Sequence, residues 1–237
     1  KTATYSSGSG STILVFTYII SENDGNVNPL SVTQYNNTIT DNAGNTAAAA
    51  TGALTGINVD ATKPTLGLVT IASNNANTSL ATVGNIVTLT IEDDENSTIT
   101  KVTLLGEVFN NPQGNPVIGI DGPTGAMGYE IQHTVTDDDS SVSFKIEFED
   151  AAGNTSEVTA VTSGSGVTID KAAPSFVEIT TDTTAGTYKI GDSITIKATW
   201  NENVVVDTTT PPTLTLNNSK TATYSSGSGS TILVFTY

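Results

Sequence analysis

The chain has no cysteine and no arginine, and it carries one histidine (His133), one methionine (Met127) and one tryptophan (Trp200) in 237 residues. Without cysteine there is no disulfide framework, no thiolate metal site and no sulfur nucleophile. With no cysteine and a single histidine, which sits in the alternating segment YEIQHTVT (129–136), a nucleophilic triad is hard to build. The basic residues are all lysine, and Lys and Arg together number 8 against 24 Asp and Glu, a formal net charge of −16. That balance argues against nucleic acid, whose phosphates and base edges are read mainly by Arg and Lys, and against an anionic membrane surface. Apolar runs long enough to cross a bilayer are also missing. An acidic excess suits solubility and divalent cations.

What the chain has in abundance is Thr and Ser, 65 residues together, with 21 Asn. Thr-rich segments broken by Gly, Asn and Asp turns predict an all-β chain. Apolar and polar residues alternate with period two at Val87, Leu89 and Ile91, at Val142, Phe144, Ile146 and Phe148, and at Ile194, Ile196 and Ala198. Each is a strand with one covered face. By the same parity Trp200 points inward with Ile194 and Ile196. Tyr5–Phe16 predicts a hairpin with SSGSGS at its tip. No segment has a helical period. Asn-x-Ser/Thr sequons, as at Asn36, Asn77, Asn96, Asn154 and Asn217, are no commoner than this composition produces by chance.

Residues 1–18, KTATYSSGSGSTILVFTY, recur letter for letter as residues 220–237. This predicts one period of a tandem repeat, 219 residues from position 1 to position 220, followed by the start of the next copy. A fainter repeat lies inside it. GNIVTLTIEDDEN (84–96) matches GDSITIKATWNEN (191–203), FEDAAGNTSEV (148–158) resembles ITDNAGNTAAA (39–49), and VTIDKAAPS (167–175) resembles INVDATKPT (57–65). Cut at the shared hydrophobic–Asp–x–x–x–Pro junctions, the chain becomes 1–60, the C-terminal part of one domain, 61–170, a complete domain, and 171–237, the N-terminal part of the next. The last has the type of the one ending at 60. Each full domain is about 110 residues, the usual size of an immunoglobulin-like sandwich.

The order TYKIGDSITIKATWNENVVV, PTLTLNN, TATYSSGSGSTILVFTY, ITDNAGNTA and VDATKP resembles the bacterial immunoglobulin-like (Big-type) tandem repeats of very large surface adhesins and other extracellular fibre proteins. The likeness covers nearly all of the second domain type and is weaker over 61–170. It implies tandem immunoglobulin-like Greek-key β-sandwiches forming an extended rod, outside the cell or on a bacterial or archaeal cell surface.

In such a sandwich the incoming linker, the end of strand B and the F–G turn meet at one pole. The first domain would bring Asp60, Asp94, Glu95, Asp150 and Asn154 there. The second would bring Asp170, Glu202, Asp41 and Asn45, with Asn201 beside Glu202. Carboxylates with amide and carbonyl oxygens suit Ca²⁺, which takes 6–8 oxygen ligands, and a cation there would stiffen the hinge. Asp-x-Ala-Gly-Asn is equally a tight turn that needs no metal. Glu95 and Glu202, at equivalent positions where a turn needs no Glu, favour calcium. SENDGNVN (21–28) and Asp137–Asp139 are expected to be solvated turns, His133 an exposed strand residue, and Lys145 and Lys197 outward-facing.

The expected function is structural and non-enzymatic: a repeat of an adhesin stalk or filament whose partners are neighbouring copies of itself. The alternatives are an adhesive module for a cell-surface glycan or protein, an accessory domain of a secreted hydrolase, or a discrete subunit that polymerises by strand complementation.

Overall fold

A computed structural model describes residues 1–35, 38–48, 51–93, 97–110, 120–121 and 127–237. All regular structure among them is β, with no helix. The chain divides into two compact units, Lys1–Asp170 and Lys171–Tyr237.

The first unit opens with four short strands, β1 (Thr4–Ser7), β2 (Val15–Thr17), β3 (Ser31–Val32) and β4 (Gly52–Ala53). β1 and β2 form the two-stranded hairpin predicted from Tyr5–Phe16, and β3 pairs with β4. Among the described residues of 1–60, only Val59 is a buried apolar side chain. Ile13, Phe16, Ile19 and Ile57 all lie exposed. Ten further strands follow: β5 (Leu68–Ser73), β6 (Leu80–Ala81), β7 (Ile86–Asp93), β8 (Thr98–Leu104), β9 (Glu107–Asn110), β10 (Ile120–Asp121), β11 (Met127–Thr134), β12 (Phe144–Glu149), β13 (Thr155–Val158) and β14 (Thr168–Ile169). They build two four-stranded sheets, β10-β11-β7-β5 and β13-β12-β8-β9, and a short parallel pair of β6 with β14.

The period-two pattern is what joins the two sheets. Val87, Leu89 and Ile91 on β7 are fully buried, and the threonines between them are half-buried. Leu89 stands opposite Ile131 on β11 and Ile71 on β5, so one face of the sheet is apolar across three strands. Ile99, Val102 and Leu104 on β8 and Ile146 and Phe148 on β12 do the same for the other sheet. Both sets belong to one core cluster running from Leu66 to Val167. At about 1.5–3 kcal/mol for each fully buried Val, Leu, Ile or Phe, this core is the main stabilising feature of the unit.

The second unit is a single five-stranded sheet. Its strands are β15 (Phe176–Thr180), β16 (Thr195–Val204), β17 (Thr213–Thr215), β18 (Thr221–Ser226) and β19 (Ser230–Thr236), in the order β15-β16-β19-β18-β17. Its core is small: Ala198, Ala222, Leu233 and Phe235, with Ile196, Trp200, Leu214 and Tyr224 packed around them. Trp200 joins this cluster as its parity predicts. Phe176, Val177, Ile179 and Ile190 stay exposed.

Candidate metal sites and acidic turns

Asp41 and Asp150 head two turns of matching geometry. Asp41 Oδ1 accepts the backbone N–H groups of Ala43 (2.9 Å) and Asn45 (2.8 Å), and its Oδ2 accepts Asn45 Nδ2 (2.8 Å). Asp150 does the same with Ala152 (2.9 Å), Asn154 (2.9 Å) and Asn154 Nδ2 (2.8 Å). Gly44 and Gly153 sit at φ 88° and 89°, where an L side chain is strained. The asparagine side chains, then the backbone donors, hold both carboxyls below the usual carboxylate range. These two carboxylates already have three N–H donors each, so the turns stand without a cation.

The turn of Asp150 reaches the linker. Asn154 Nδ2 donates to the carbonyl oxygen of Asp60 at 3.2 Å, while Asp60 Oδ1 accepts the Thr62 N–H (3.1 Å). Asn26 pins the next residues, its Oδ1 accepting Ala61 N–H (2.9 Å) and Thr62 Oγ1–H (2.9 Å), and Lys63 pairs with Glu22 at 2.5 Å. Asn26, Val27, Asn58, Asp60 and Ala152 line one open cleft there. The 21–28 stretch is therefore a clasp on the linker and more than a solvated turn. Its Asp24 accepts Tyr18 Oη–H (2.6 Å) and the Ser21 N–H (2.7 Å), which hold its carboxyl well below the usual range.

In the second unit, Asn201 Oδ1 accepts the Ser175 N–H (2.6 Å) and Asn201 N–H returns to the Ser175 carbonyl (3.0 Å). The segment entering this unit is thus tied to the far end of β16, beside Glu202. Glu202 Oε1 is buried with no hydrogen-bond partner among the described residues. Asp170 closes the first unit, its N–H bonded to the Ala81 carbonyl (2.8 Å). Asp94 and Glu95 lie outside the described residues. Among the residues described, no three His, Asp or Glu side chains converge to hold a metal.

His133 is not the exposed strand residue that its alternating neighbours predict. Its side chain is only 14% exposed, with Nδ1 3.0 Å from Glu107 Oε2 and Nε2 3.0 Å from Asp139 Oδ2. Asp139 also accepts Thr136 N–H (2.7 Å) and Oγ1–H (2.9 Å), which makes it an anchor where a solvated loop is expected. Burial opposes the charged ring, but the hydrogen bonds and charges of Asp139 and Glu107 outweigh it and raise the imidazole above its ordinary 6.5. A raised folded value means the ring's contribution is complete below pH about 6.5 and fades as pH rises through the folded value. Urea unfolding of the first unit should therefore show higher stability at pH 6 than at pH 8.5. The His133→Gln variant should lose that slope, and an unchanged slope would refute the pairing. Lys145 faces outward as predicted, bridging Glu147 (3.1 Å) and Glu157 (2.7 Å), and Lys197 pairs with Asp182.

Set beside known proteins, the chain matches no protein-family model, no curated protein and no solved structure.

Proposed function

We propose that the chain is a non-enzymatic building segment of an extracellular stalk or filament, made of tandem immunoglobulin-like sandwiches of the bacterial surface-repeat kind. The observation that carries this reading is the duplicated 18-residue stretch. It folds to one hairpin with one register in both copies, Tyr5 opposite Phe16 and Tyr224 opposite Phe235, as a true structural repeat requires. The two sheets sharing one core between Leu66 and Val167 support the sandwich. The function is then reach and stiffness, with neighbouring copies as the main partners.

Calcium at the domain poles belongs to the same proposal. The buried, unpartnered Glu202 Oε1 is the described atom that best fits a cation, since an orphaned buried carboxylate oxygen is costly. The Asp41–Asn45 and Asp150–Asn154 turns serve as shaped supports, with their carboxylates already engaged. Asp60 and Asp170 would act from the linkers, and Asp94 and Glu95 from the end of strand B. When bound, Ca²⁺ would neutralise clustered carboxylates and fix the linker. A ligand at 100 times its Kd stabilises the folded state by about 2.7 kcal/mol, so millimolar Ca²⁺ restored after EDTA should raise the melting temperature by several degrees and extend the particle in small-angle scattering. Melts and scattering unchanged by both treatments would remove calcium from the reading.

A further inference from the structure

His133 lies on β11, opposite Val87 of β7. β10 pairs with β11 only at Met127 and Gly128 among the described residues, so at His133 no described strand lies on the other side of β11. Glu107 opens β9, the terminal strand of the other four-stranded sheet. The 3.0 Å contact of His133 Nδ1 with Glu107 Oε2 therefore joins the open edge of one sheet to the last strand of the other. The 3.0 Å contact of Nε2 with Asp139 Oδ2 ties the same ring to the turn that leaves β11.

The two arms differ in freedom. The Asp139 side chain is 11% exposed, and its Oδ2 also accepts the Thr136 N–H and Oγ1–H. Burial works against the charge on Asp139, but the Thr136 donors and His133 outweigh it and hold the carboxyl below the usual range. The Glu107 side chain is 54% exposed, so water can replace the ring as its partner. Its strand is entered through a tight turn, with Leu105 at φ 47° and Gly106 at φ 82°. A positive φ is costly for a residue with a Cβ. That turn is held on one side by the Leu105 N–H, which donates to the Ser143 carbonyl (2.9 Å), and on the other by Glu107. The charges that face the ring are the two carboxylates. β7 presents Ile86 and Val87, Asp137 and Asp138 lie exposed on the turn of Asp139, and Lys101 on β8 is paired with Glu147.

We propose that His133 is a two-armed clamp that releases Glu107 and keeps Asp139 when its ring loses a proton, so that β9 loosens from the rest of the first unit. The doubly protonated ring donates from both nitrogens, one to each carboxylate. The neutral ring keeps one N–H, and the lone pair on its bare nitrogen repels the carboxylate in front of it. Asp139 is fixed by Thr136 and has no room to retreat, so the remaining proton stays on Nε2. The lone pair is left on Nδ1, and Glu107 turns into water. The raised imidazole value sets the direction. The clamp is shut below pH about 6.5 and opens as pH rises through the folded value. The strained turn at Leu105 then loses one of its two anchors. Phe109, packed from β9 against the core cluster, is the side chain that the loosening uncovers. The proposal rests on these three side chains and does not depend on the stalk reading.

Nitrogen-15 NMR of the full chain tests this directly, because a single histidine gives a single pair of ring signals. Across the titration Nδ1 should lose its proton and Nε2 should keep it. Between pH 6 and pH 8.5 the amide-exchange protection of β9, corrected for the intrinsic rate, should fall about tenfold, the effect of losing a hydrogen bond to a charged group. β7 and β12 should hold theirs. Glu107→Gln keeps the length of the arm and can turn its amide N–H toward a bare Nδ1, so this variant should keep β9 protected at both pH values. A neutral ring protonated on Nδ1, β9 protection that changes no more than that of β7 and β12, or a Glu107→Gln chain that loses β9 protection as the parent does would each overturn the proposal.

Discussion

Phe148→Ala is expected to bring the first unit to the edge of unfolding. Phe148 is 2% exposed and stands opposite Ile99 on β8, at the meeting point of both four-stranded sheets. Truncating a core phenylalanine costs about 3–5 kcal/mol, the lost transfer energy plus the cavity left behind. Total stabilities are about 5–15 kcal/mol, so the loss is a large share of the whole. Urea unfolding should show the midpoint of this unit falling with little change in slope. Phe16→Ala, in the exposed hairpin, should shift it by no more than about 0.5 kcal/mol, as surface substitutions do. A Phe148→Ala shift as small as that of Phe16→Ala would mean the two sheets do not share a core.

A larger contrast is expected from one substitution made twice. Ala222 is fully buried beside Leu214, among the four buried residues of the second unit. An aspartate there places a carboxylate in an apolar site without a partner, which costs about 3–5 kcal/mol. With so small a core, the second unit should lose its sheet while the first keeps its own transition. Ala3→Asp puts the same aspartate into the same eighteen-residue context, where the side chain is exposed, and should leave stability within about 0.5 kcal/mol of the parent. Two-dimensional amide NMR distinguishes the outcomes residue by residue. Equal effects at positions 3 and 222 would contradict the different burial of the two hairpins.

Much of the fold was legible because local pattern carried it. The alternation at Val87–Ile91 is a buried stripe, the SSGSGS tip turns a hairpin, and Trp200 packs inward. What escaped was set by residues distant in sequence. His133 alternates like a surface residue, yet Glu107, 26 positions away, and Asp139 hold it from both sides. Asn26 looked like one more polar turn residue, yet it binds a linker 35 residues on. The acidic turns show the limit of motif reading. Asp-x-Ala-Gly-Asn fits a ligand set and a closed Asx turn equally well, and the structure spends the carboxylates of Asp41 and Asp150 on the turn. Glu202, half-buried with its Oε1 unpartnered among the described residues, stands out in the sequence through its equivalence to Glu95.

Single-molecule stretching of a polypeptide holding two successive 219-residue periods tests the tandem-domain reading most directly. If each period is two independent sandwiches, 61–170 and 171–237 completed by the equivalent of 19–60, force–extension traces will show separate unfolding peaks. Each complete domain will release about 35–40 nm, near the extended length of about 110 residues at 3.3–3.6 Å each. A single release of about twice that length per period, or extension without force peaks, would contradict the tandem-domain rod.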